Sequence, residues 1–79
     1  MMRDKNGDIL ISGDYVRILA LYGTSDLAKV LEEAIDEFSQ PMCTVQLLKK
    51  DDQDPFRKYP ENIQKVSEIE AMLYILEQP

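Results

Sequence analysis

Histidine and tryptophan are absent from these 79 residues, cysteine occurs once, and glycine and proline number three and four. Each shortage removes a chemistry. Without histidine, the side chain that most often serves as general base and metal ligand near neutral pH is missing. The lone Cys43 can form no disulfide within the chain, and one cysteine with no histidine does not make a zinc site. A catalytic thiol would need a histidine-like base that the chain lacks. Set among strand-forming residues, Cys43 is expected to be a small buried hydrophobe. Three scattered glycines form no phosphate-cradling loop. No apolar run approaches the ~20 residues that span a bilayer, and no basic-then-apolar start announces a signal peptide. Basic residues are the scarcer charge, 9 against 15 acidic, for a net charge of −6. That balance repels nucleic acid and anionic membranes over the surface as a whole. A single domain over 1–79, cytoplasmic and without cofactor, is the expectation.

The chain is organised around Gly13–Tyr22, a Gly-Asp turn followed by β-branched and aromatic residues. Such a run reads as a strand. Val16, Ile18, Ala20 and Tyr22 share one face; Tyr15, Arg17, Leu19 and Leu21 share the other. Both faces are largely apolar, which predicts cover on two sides. Asn6-Gly7 before it is a tight-turn dipeptide, and Asp8–Ser12 a short strand. Asp4-Lys5-Asn6-Gly7-Asp8 also opens like a calcium loop of the EF-hand kind. Ile9 stands where that loop needs its glycine and Tyr15 where it needs its last glutamate, so a hairpin turn is expected instead.

Leu27, Val30, Leu31, Ala34, Ile35 and Phe38 recur at helical spacing, with acidic residues and Lys29 between them. With Thr24 or Ser25 as N-cap and Pro41 as a stop, this predicts an amphipathic helix over 26–38. Met42–Lys50 alternates as a half-buried strand, with Cys43, Val45 and Leu47 on one face. Phe56–Tyr59 is a short strand, Pro60-Glu61-Asn62 a turn, and Ile63–Val66 a closing strand. Ser67 and Glu70 have capping-box spacing, and a final helix over about 68–78 carries Ile69, Met72, Leu73 and Leu76 on one stripe, widened by Ile75.

Several groups could carry function. Asp51, Asp52 and Asp54, with Glu61 in reach, could hold a hard cation, although a solvated loop explains them equally well. Arg17 could bind a carboxylate ligand; the alternative is an ion pair with Glu33 or Glu37. The acidic face of 26–38 is a solvated surface or a docking face for a basic partner. The basic density lies at Lys49, Lys50, Arg57 and Lys58, and Phe56-Arg57-Lys58-Tyr59-Pro60 combines two aromatics with two cations. Aromatics beside cations can stack bases or dock peptides; the other reading caps the core with Phe56 and Tyr59.

The Asn6-Gly7…Gly13-Asp14-Tyr15-Val16-Arg17-Ile18 opening resembles the first turn and long strand of small SH3-like barrels, including their KOW- and Tudor-type relatives. Tyr59-Pro60-Glu61-Asn62-Ile63-Gln64-Lys65-Val66 is similar to their closing turn and strand, and Ala20-Leu21-Tyr22 and Pro60-x-Asn62 to two SH3 signatures. The resemblance covers about half the chain. It implies a peptide groove near Tyr22, Tyr59 and Pro60, though SH3 grooves use a tryptophan this chain does not have.

Together these readings predict an α+β domain. A small curved antiparallel sheet of the SH3-like barrel type has the helix 26–38 inserted across its open side and the helix 68–78 on another edge. The expected function is a non-enzymatic interaction module for a protein partner. Its binding residues are Phe56, Arg57, Lys58, Tyr59, Pro60 and Tyr22, and a homodimer could form through Met72, Leu73, Ile75 and Leu76. Nucleic-acid binding through 49–60 and metal-dependent activity at 51–54 are the alternatives.

Overall fold

In the computed structural model, residues 2–19, 26–48 and 54–77 are described. They form an α+β domain. Strands β1 (Met2–Arg3) and β2 (Ile9–Leu10) make a small hairpin. A five-stranded antiparallel sheet contains β3 (Tyr15–Ile18), β4 (Asp26–Ile35), β5 (Pro41–Leu47), β6 (Phe56–Lys58) and β7 (Ile63–Val66), in the order β6-β5-β4-β3-β7. A 3₁₀ turn, Pro60–Asn62, leads into β7, and the helix α1 spans Glu68–Leu76. The sheet is open: β6 and β7 are its opposite edges and do not pair, so the barrel implied by the SH3-like resemblance is not closed.

The turns form where turn residues stand. Gly7 and Gly13 take φ of 87° and 96°, a region that side chains with a Cβ avoid. The inner face of the sheet follows the period of two: Val16, Val30, Val45 and Ile63 are fully buried there. Burying each such side chain contributes about 1.5–3 kcal/mol. Met2 and Leu10 join the same cluster, so the β1–β2 hairpin closes the inner face. Cys43 lies fully buried within it, as its sequence setting implied.

The segment 26–38 is not a helix. Residues 26–35 are β4, the central and longest strand, paired along β3 on one edge and β5 on the other. The strand carries a β-bulge within this stretch, and its apolar residues are shared between both faces of the sheet. Val30 pairs with Val45 and Glu32 with Thr44, which leaves Leu31 as the extra residue. A bulge shifts the alternation by one position. With apolar residues on the inner face, the outer face and the bulge itself, a spacing of three and four arises without a helix. Pairing along both edges outweighs the helix propensity of this segment. Pro41 stops nothing: it begins β5 opposite Ile35, a first-strand position that proline tolerates.

Other differences are smaller. β3 ends at Ile18, and Ala20–Tyr22 lie outside the described residues. α1 ends at Leu76, one residue before the C-cap Glu77. Ser67 caps it as expected, its hydroxyl accepting from the Glu70 N–H at 3.0 Å. The helix lies on the outer face of the sheet, and Arg17 pairs there with Glu70 rather than with Glu33 or Glu37. Leu27, on the same face, is buried although it is outside the main core cluster.

Candidate functional site

Residues 36–40 form the tip of the β4–β5 hairpin. The Asp36 carboxylate organises it: Oδ1 accepts the Phe38 and Gln40 N–H groups, each at 2.8 Å. The Asp36 N–H donates to the Gln40 carbonyl, and Ser39 takes a left-handed φ of 63°. This local closure, of the kind Asp supplies in turns, turns Phe38 outward, where it is 74% exposed.

Tyr59 faces the tip from the start of the 3₁₀ turn. Its hydroxyl donates to Asp36 Oδ2 at 2.7 Å. The Tyr59 hydroxyl is the main reason the Asp36 carboxyl sits below its ordinary value, helped by the Gln40 and Phe38 N–H groups. The same bond, with smaller contributions from desolvation and the charges of Asp36, Glu61 and Glu37, pushes the Tyr59 phenol up. Beside this bond lies an open groove of about 470 Å³, lined by Phe38, Gln40, Pro41 and Pro60 together with Tyr59, Asp36, Met2, Arg3 and Glu61. Arg3 is held by a 2.8 Å bond from Nη1 to the Gly7 carbonyl. Its lining combines the rings of Phe38 and Tyr59 and two prolines with the polar side chains of Arg3, Asp36, Gln40 and Glu61.

The residues singled out by sequence divide between different places. Tyr59 and Pro60 line this groove, Pro60 buried and Tyr59 partly exposed. Phe56 is half-buried and packs on the core, in keeping with the capping reading of that residue. Arg57 is exposed opposite Thr44 on the outer face, and Lys58 lies opposite Cys43. Tyr22, Lys49, Lys50, Asp51 and Asp52 lie outside the described residues. Among the described residues no three His, Cys, Asp or Glu side chains are grouped to hold a metal ion. The sequence by itself does not bring Met2, Arg3, Phe38, Gln40 or Pro41 to a site, and it places Asp36 only on the acidic face of 26–38. For Asp36 and Phe38 a signal existed: Asp36 four residues before Gln40, with Pro41 next, is compatible with a hairpin tip.

Cys43 carries no accessible chemistry. Burial is the main cause that pushes its thiol up to about 11, with Asp14 and Glu33 adding to the effect. Against a reference of 9.0 the thiolate fraction falls about a hundredfold. Iodoacetamide at neutral pH is therefore expected to leave the native protein unmodified by mass spectrometry and to label it fully in urea. Rapid labelling of the native protein would contradict the buried position. No family model, curated protein or solved structure matches the chain.

Proposed function

We propose that the domain is a non-enzymatic interaction module that holds an extended apolar segment of a protein partner in the groove between the β4–β5 tip and Tyr59–Glu61. The observation that carries this reading is Phe38, 74% exposed beside a tyrosine fixed by Asp36. A large aromatic held outward by a hydrogen-bonded turn contributes nothing to the core. It is the kind of rigid anchor that dominates protein interfaces. The resemblance to SH3-like barrels implies a peptide groove beside Tyr59 and Pro60 and supports the same reading. The lone cysteine and the acidic balance suit action in the cytoplasm.

Selection of displayed random peptides on the immobilised protein tests this. Enriched sequences should be extended and apolar or proline-containing. Phe38→Ala combined with Tyr59→Ala should weaken the selected peptides at least about tenfold, the loss expected from one buried ring, while the protein stays folded, the lost Tyr59–Asp36 bond costing only about 1 kcal/mol. Equal binding by the double variant, or no enrichment, would sink the proposal.

A further inference from the structure

The helix α1 has two apolar sides and the sheet covers only one. Ala71 is fully buried, while Glu70 and Tyr74 reach Arg17 and Asp26 on the strands. Ile69, Met72, Leu73 and Leu76 recur at i, i+3, i+4 and i+7 and so form one stripe. They are 73%, 55%, 54% and 77% exposed. Leu73 also lines a groove of about 300 Å³ with Leu27, Arg17, Glu70, Tyr74 and Glu77. Four large apolar side chains on nine residues of helix form a contiguous patch of the kind that marks an interaction site.

Charge says what covers it. The helix has Glu68, Glu70 and Glu77 and no basic residue in its last turn. The only cation lining the neighbouring groove, Arg17, is already engaged by Glu70. A second copy of this chain would bring the same acidic rim, setting Glu77 against the second copy's Glu68 in an antiparallel pair, and would double a net charge of −6. Like charges across an interface oppose association, and opposite charges favour it. We infer that the outward face of α1 receives a basic amphipathic helix of a partner protein. Apolar residues of that helix lie on the Ile69–Leu76 stripe, and its lysines or arginines meet Glu68 and Glu77, which flank the stripe. The nine residues of α1 are about 13 Å long, so two to three turns of partner helix are enough.

The test is an NMR titration of the whole chain with a synthetic 14-residue Leu/Lys amphipathic peptide. Its controls are a scrambled peptide of equal charge and a Leu/Glu analogue. The expected result is saturable shifts confined to 68–77 and the adjoining Leu27 and Arg17. Binding should be at least about tenfold weaker for both controls and for Leu73→Ser with Leu76→Ser, and weaker at high salt. Both leucines are more than half exposed, so that variant keeps its fold. Phe38→Ala should leave the titration unchanged, which separates this face from the groove at Tyr59. Equal binding of the scrambled peptide, or an affinity that the leucine variant leaves unchanged, would overturn the inference. So would sedimentation showing a dimer that Leu76→Ser dissociates, since a second copy would then occupy the face.

Discussion

Replacing Ala28 by aspartate is expected to remove about a third or more of the domain's stability, and all of it at the lower end of the range for this size. Ala28 is fully buried in β4, opposite Val16 on one side and Leu47 on the other. A carboxylate there loses its water and meets only hydrocarbon, a cost of about 4 kcal/mol or more. The total stability of a domain this size is on the order of 4–12 kcal/mol. The companion change Leu31→Asp is expected to cost only about 1 kcal/mol, because the bulged residue is 38% exposed. A helix over 26–38 would reverse the order, since Leu31 would lie in its apolar stripe and Ala28 at the margin. Urea unfolding followed by circular dichroism decides between them. A smaller loss for Ala28→Asp than for Leu31→Asp would refute the strand and its register.

Asp4→Ala is expected to lower stability by about 2–3 kcal/mol. Asp4 is 6% exposed and joins two parts of the fold. Its Oδ1 accepts from the Asn6 and Asp8 N–H groups at 2.9 and 2.8 Å, which shapes the β1–β2 turn. Its Oδ2 accepts from the Lys65 N–H at 2.7 Å, which ties that hairpin to β7. Hydrogen bonds to an ionised acceptor contribute about 1.5–3 kcal/mol each, and solvent recovers part of this near the exposed turn. With a slope of roughly 1 kcal/mol per molar urea, the midpoint should fall by about 2–3 M. A fall under about 0.5 M would remove Asp4 from this role.

The same group predicts a pH dependence. Burial alone would raise the Asp4 carboxyl, but the N–H groups of Lys65, Asp8, Asn6 and Gly7 outweigh it and hold the carboxyl below its reference of 3.8. A carboxyl lowered in the folded state binds fewer protons there than in the unfolded chain. Its contribution is therefore complete above about pH 4 and is lost as pH falls through the folded value. The midpoint difference between the protein and Asp4→Asn should stay constant from pH 7 to 5 and shrink below pH 4. A difference that grows on acidification would have the wrong sign for this carboxylate.

How much was legible depended on the range of the interactions involved. The Asn6-Gly7 and Ser12-Gly13 turns, the strands around 15–18, 42–47, 56–58 and 63–66, and the Ser67-capped helix rest on neighbours a few residues apart. Windowed patterns capture those. Asp4 was visible only as part of a turn, because its decisive partner, Lys65, lies 61 residues away. Arg17 was correctly read as a mid-strand charge seeking a carboxylate. Its partner was misplaced because Glu33 and Glu37 were assigned to a helix that does not exist. The helical spacing likewise puts Phe38 on an apolar stripe, whereas the hairpin tip turns it outward beside Tyr59.

By itself the sequence determined the α+β class, the turn positions, the buried thiol, the capped final helix and the acidic surface. Each follows from local backbone preference, side-chain period or composition. Only the tertiary structure decided that 26–35 is a strand. That segment's spacing suits a helix, and only β3 and β5 on its two edges, with the bulge at Leu31, favour the extended chain. The same long-range pairing brings Phe38 beside Tyr59 and leaves one side of α1 bare, because sheet register sets which distant residues meet and no local pattern encodes it.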